Sequence, residues 1–222
     1  TWTAMTTGTG AQLRGVWGTS GTDVFAVGTG GEILRYDGTT WTRATSGTSQ
    51  ELRAVWGTSR TDVFAVGANG TIVHFDGTTW SAMANPTDGN LLLAVWGTSG
   101  TNVYAAGQGC SVWRYDGSSW SQMSGGNCNH KYTVWGTSAS EIFLGQSNRA
   151  INRYNGTSWN EVYSAPVGNV KAVWGTSGGI VLAALVNGTI VRGVRGATVS
   201  VAAGSWAVTP QGNQLQATAT VR

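Results

Sequence analysis

Charge is scarce in this chain of 222 residues: 10% are Asp, Glu, Lys or Arg, and only Lys131 and Lys171 are lysines. The net charge of +3 and the pI of about 9.1 therefore come from scattered arginines. No basic run supplies the electrostatic footprint of a nucleic-acid binder. Histidine is scarcer still, and His74 and His130 are too few and too far apart in sequence to point to a metal site or a catalytic triad. Three prolines against 34 glycines suit many short strands joined by tight turns rather than helices. The longest clearly apolar run, Ile180 to Val186, is far too short to cross a bilayer. No P-loop, G-x-S-x-G or H-E-x-x-H string occurs, so no cofactor is expected and the chain reads as a non-enzyme. Without a visible signal segment, Thr1 is expected to open either a mature secreted chain or an excised piece.

What the chain has in abundance is repetition. V-W-G-T-S occurs five times, placing Trp17, Trp56, Trp96, Trp135 and Trp174 at intervals of 39, 40, 39 and 39 residues. A period of this size, within the range of about 20 to 50, marks one supersecondary unit stacked until its apolar faces are covered. In the second repeat, Glu51 to Gly57, Asp62 to Gly67, Thr71 to Phe75 and Trp80 to Ala84 are strand-sized runs. They are divided by turn strings rich in Gly, Asn and Asp, which read as successive hairpins. Each repeat is thus a four-stranded antiparallel meander, with strands A to D in chain order. Strands A and B are almost continuously apolar, which predicts sheets covered on both faces.

On these strings the chain resembles the β-propeller families. More narrowly, it is similar to bacterial repeats of the pattern VWGTS…DVFAVG…YDGTTW from secreted and surface proteins. The resemblance implies an all-β, five-bladed β-propeller over residues 1–195, with strand A lining a central channel and strand D at the rim. The architecture is similar to tachylectin-type sugar-binding propellers, although none of their motifs is present. Residues 196–222 read as extra strands or a linker. Since the fifth repeat lacks "DGTTW" while the chain opens on "TWTAM", Thr1 to Met5 is expected to close the ring as the fifth outer strand. Thr198 to Ala202 competes for that place.

Register then sorts the candidate functional residues. Ten of the 12 tryptophans hold repeat positions and read as packing between blades. Trp113 stands outside the pattern and reads as core, with surface exposure as the alternative. Asp23, Asp62, Asn102 and Glu141 share one turn position, and Asp37, Asp76, Asp116 and Asn155 another, where short polar side chains bond turn amides. The remaining acids offer no evident pair of the kind a glycosidase needs. Arg35, His74, Arg114, Arg153 and Arg192 form a belt on strand C, either paired with turn acids and aromatics or free to bind anions. Arg14, Arg53 and Lys171 share a strand A position with Leu93 and Tyr132, near one channel mouth.

Cys110 lies in a B-to-C turn and Cys128 in a D-to-A connection, which emerge on the same face of a meander. A disulfide between them, and with it an oxidising compartment, is expected. That face also carries the most variable loops, on which binding chemistry usually sits. Asn90, Gln108, Asn127, Asn129 and Gln146 are its candidate ligand-binding side chains. The expected function is a secreted or cell-surface module that binds a glycan or surface polymer. The alternative is a structural or protein-interaction scaffold with a protein partner. Neither nucleic acid nor a membrane span enters either reading.

Overall fold

The computed structural model describes residues 1–84, 89–124, 128–176, 179–194, 207–211 and 214–218. Four four-stranded antiparallel meanders follow one another, each in simple chain order. Sheet one comprises β1 (Leu13–Ser20), β2 (Asp23–Gly28), β3 (Ile33–Tyr36) and β4 (Trp41–Ala44). Sheet two comprises β5 (Leu52–Ser59), β6 (Asp62–Gly67), β7 (Ile72–Phe75) and β8 (Trp80–Ala82). Sheet three comprises β9 (Leu92–Ser99), β10 (Asn102–Gly107), β11 (Val112–Tyr115) and β12 (Trp120–Gln122). Sheet four comprises β13 (Lys131–Ser138), β14 (Glu141–Gln146), β15 (Ala150–Tyr154) and β16 (Trp159–Ser164). Among the described residues sheet five has three strands, β17 (Val170–Gly175), β18 (Ile180–Leu185) and β19 (Ile190–Val194). A separate hairpin pairs β20 (Ala207–Gln211) with β21 (Gln214–Thr218).

The hairpins follow from turn chemistry. At the C-to-D turn of sheet one, Asp37 Oδ1 accepts the backbone N–H of Thr39 and of Thr40, each at 2.8 Å. The next residue, Gly38, sits at φ +99, a backbone conformation that strains any side chain. Gly77, Gly117 and Gly156 repeat it at φ 98 to 99, so D-G and N-G recur for a steric reason.

Sheets stack face to face, which explains the unbroken apolar runs. Val63, Phe64, Ala65 and Val66 of β6 are all buried, because alternate residues enter the junctions on either side of sheet two. Between sheets one and two, Phe25 and Val27 meet Val55, Val63, Phe75 and Trp80. Equivalent clusters fill the next three junctions. Each large side chain fully buried there contributes about 1.5–3 kcal/mol. Trp113 belongs to the second of these clusters and is core.

The inner strands pack in series, β1 on β5, β5 on β9, β9 on β13 and β13 on β17. No comparable packing of β17 on β1 closes a ring among the described residues. Thr1 to Met5 lies outside every sheet and Trp2 is fully exposed, so the segment expected to complete sheet five does not pair there. A strand D held by a tight turn closes a short loop, whereas Thr1 to Met5 would have to find β19 across the length of all five sheets. Thr198 to Ala202 lies outside the described residues.

Candidate binding face

The strand C belt is tied into its own sheets. Arg35 reaches Asp23 at 3.1 Å and lies 5.3 Å from the centre of the Phe25 ring. His74 Nε2 lies 2.7 Å from Asp62, Arg114 donates to Asn102 at 2.9 Å, and Arg153 pairs with Glu141 at 2.9 Å. In sheet five the acid's place is taken by Ile180, across from Val194 rather than beside a carboxylate, and Arg192 is exposed. The turn acids of the other set are similarly engaged. Hydrogen bonds led by the Thr78 hydroxyl hold the Asp76 carboxyl at about 2, and those led by the Ser119 amide hold Asp116 at about 2. A recess of about 490 Å³ near the A-to-B turns brings Asp23, Arg35 and Asp37 close to Arg60, which replaces the small residues of the sister turns.

At the other end of the strands, B-to-C turns and D-to-A connections are stitched together. The amides of Thr29, Ala68, Gln108 and Ser147 donate to the carbonyls of Gln12, Glu51, Leu91 and His130 at 2.8 to 3.0 Å. This common placement brings Cys110 and Cys128 into a disulfide, as their positions in the meander predict. At the same end of the inner strands, Glu51 bridges Arg14 at 2.6 Å and Arg53 at 2.9 Å. Partial desolvation opposes ionisation of Glu51, but the hydrogen bond from Arg14 and the charge of Arg53 outweigh it and lower its pKa. Lys171 Nζ stands 3.1 Å above the centre of the Tyr132 ring, a cation–π contact.

Sheet four departs from its sisters at one pair of facing residues. Leu52 opposes Gly67 and Leu92 opposes Gly107, but in sheet four Lys131 opposes Gln146. Both are fully buried. Lys131 Nζ donates to the Gly109 carbonyl at 2.6 Å, next to the disulfide, and burial lowers its pKa to about 8. Among the described residues, neither amide atom of Gln146 has a hydrogen-bond partner. Asn90 is the nearest neighbour of a side chain built at Gly109, 3.8 Å away, so Asn90, Gln108 and Lys131 gather at the same turn. Asn90, Gln108 and Asn129 are half-buried, and Asn127 lies outside the described residues. Lys131 was not among the sequence candidates. Its signal was a lysine in register with Leu13, Leu52, Leu92 and Val170.

No family model matches the chain, and no curated protein matches it. Solved structures do. The WD40 β-propeller domain of Doa1 superposes with a TM-score of 0.69 at 13% identity, over 83% of this chain and 66% of that one. YCF48 bound to D1 peptide gives 0.65 at 14%, over 82% and 64%. The extracellular domain of a hybrid two-component system from B. thetaiotaomicron gives 0.65 at 10%, over 82% and 30%. The chain thus spans less than two thirds of the length of each. Together with five successive antiparallel sheets, these likenesses show that the chain has the β-propeller fold.

Proposed function

We propose that this chain is a non-enzymatic interaction module that engages an acidic segment of a partner protein through the face carrying the B-to-C and D-to-A loops. The observation that carries the reading is the buried Lys131 and Gln146 pair beneath the disulfide-joined loops. A buried unpaired amide costs about 1–3 kcal/mol. Leucine or valine faces glycine or leucine at the same places in the sister sheets, so the repeat does not require the unpaired Gln146 amide, which suits completion by a ligand's own hydrogen-bonding groups. The same end of the inner strands carries three cations, Arg14, Arg53 and Lys171, against the single carboxylate of Glu51. That balance favours an acidic segment. A peptide bound to YCF48 lends the reading support from a similar fold. The disulfide and the likeness to an extracellular domain support a secreted or surface setting.

A second reading is carbohydrate binding, favoured by the amide side chains of Asn90 and Gln108 gathered at the Gly109 turn. In that reading Asn129 and Gln146 complete the site, and the exposed Arg192 is the belt member open to an anion. Calorimetry against extended acidic peptides, beside a glycan array, separates the two. Saturable peptide binding, weakened about tenfold or more by Gln146→Gly and severalfold by Lys171→Ala, is expected. Selective glycan binding without peptide binding would transfer the site to the second reading, and silence on both sides would remove it.

A further inference from the structure

Each inner strand hands the same knob to the next sheet. Trp17 lies against Gly57, Trp56 against Gly97, Trp96 against Gly136 and Trp135 against Gly175. A Cβ placed at any of these glycines would stand only 2.5 to 2.8 Å from the tryptophan Cη2, so the glycine is a recess shaped to the indole. Four knobs fill four recesses. One of each is left over: the knob Trp174 on sheet five and the recess Gly18 on sheet one. Trp174 is 57% exposed, and the atoms nearest a side chain built at Gly18 belong to Asp23 and Val24 of its own sheet.

The residues around the unfilled pair are uncovered in the same way. Val16 is 70% exposed, whereas Val55, Val95, Val134 and Val173, in register with it, are 6 to 8% exposed. Ile190 is 71% exposed, whereas Ile33, Ile72, Val112 and Ile151 are 0 to 6% exposed. The sheet-five end face therefore has the apolar surface of a finished junction without the partner sheet. On the sheet-one end face the opening lies along β1 at Val16 and Gly18, Ala26 and Leu34 on the same face being buried. Exposed apolar surface of this kind marks an interaction surface. Each end face is also one half of a junction that the chain builds four times over, so the surface that fits one end is the other end. Within the chain they do not form such a junction among the described residues, since β17 has no packing along β1 comparable to that of the other inner strands and Trp174 stays exposed.

We propose that the end faces bind each other between copies of this chain, Trp174 of one copy entering the recess at Gly18 of the next. The contact is head to tail and uses different surfaces on the two copies, so it leaves one free face at each end and propagates into larger assemblies unless the rotation closes a ring. It is independent of the loop-face reading, because neither Trp174 nor Val16 belongs to that face.

Light scattering of the 222-residue chain over a concentration series is expected to show mass rising beyond a dimer. Val16→Asp and Trp174→Asp each damage one half of the junction, so each variant alone stays monomeric. Mixed, they retain one intact pair, the Trp174 face of the first with the Gly18 face of the second, and the mass rises to two copies and stops. Ile190→Asp replaces Trp174→Asp if the latter loses its near-ultraviolet circular dichroism, and the same mixing result is expected. A wild type that stays monomeric at every concentration would assign the faces to closure within one chain or to further repeats of a longer polypeptide, and would overturn the proposal. Association of either variant by itself, or a mixture that stays monomeric, would overturn it as well.

Discussion

Lys131 shows how one residue can depart from a repeat without disturbing it. Its stem fills the space that Leu52 and Leu92 fill in the sister sheets, while its ammonium reaches the Gly109 carbonyl. Burial lowers its pKa from 10.5 to about 8. The folded chain then gives up this proton near pH 8 and the unfolded chain near pH 10.5, so between those values the unfolded state binds more protons and stability rises with pH. The gain is complete above about pH 10.5, is lost as pH falls through about 8, and at its steepest approaches about 1 kcal/mol per pH unit. Urea midpoints of the wild type and of Lys131→Leu across this range are expected to converge from one side as pH rises, with the slope absent from the variant's own contribution. Parallel curves would show that the ammonium pays no burial penalty. Turn roles for Asp37, Asp76 and Asp116 were legible in the sequence because their spacing repeats. Lys131 was not, because a single substitution has no period and its burial depends on which way β13 faces.

At the scale of the element, the V-W-G-T-S string carries both halves of a junction. The tryptophan points to the following sheet and the glycine opens to the preceding one, since adjacent residues of a strand face opposite sides. In sheet three, a Cβ at Gly97 would lie 2.6 Å from Trp56 and 2.8 Å from the Asn102 carbonyl oxygen. Gly97→Ala is therefore expected to destabilise the fold by about 1–3 kcal/mol, the usual cost of overpacking. Part of that loss should vanish in a Trp56→Phe background, where the ring no longer reaches as far, and a double-mutant cycle measures the coupling. Full additivity would place all of the cost in the backbone contact. Hairpin order and the Cys110 to Cys128 pairing were readable because turn residues state them locally. The place of "TWTAM" was not, because strand D's likeness to itself says nothing about whether a distant edge is reachable.

For the whole molecule, the 39-to-40-residue period gives the number of sheets but leaves open whether they close. Curvature is set by the wedge between neighbouring sheets, which depends on the packing of side chains such as Phe25, Trp80 and Tyr104 rather than on the interval between tryptophans. An open stack has a stability profile that a closed ring lacks. In a quasi-one-dimensional array each unit is held by its neighbours, so an end unit has one stabilising junction where an inner unit has two. Sheet five is the weakest by this account, with three strands among the described residues, one covered face, and Ile190 and Val194 exposed on β19. Sheet three, buried on both sides by the second and third core clusters, is the strongest. Native-state hydrogen exchange resolves such differences because local opening samples each cooperative unit separately. At low protein concentration, the amides of β18 are expected to exchange at least about tenfold faster than those of β10, with β2 between them. As concentration rises and ends meet, protection of β18 and β2 should increase while that of β10 stays constant. Equal protection in β18 and β10 at the lowest concentration would mean that sheet five is already covered on both faces, as in a ring closed by a single chain.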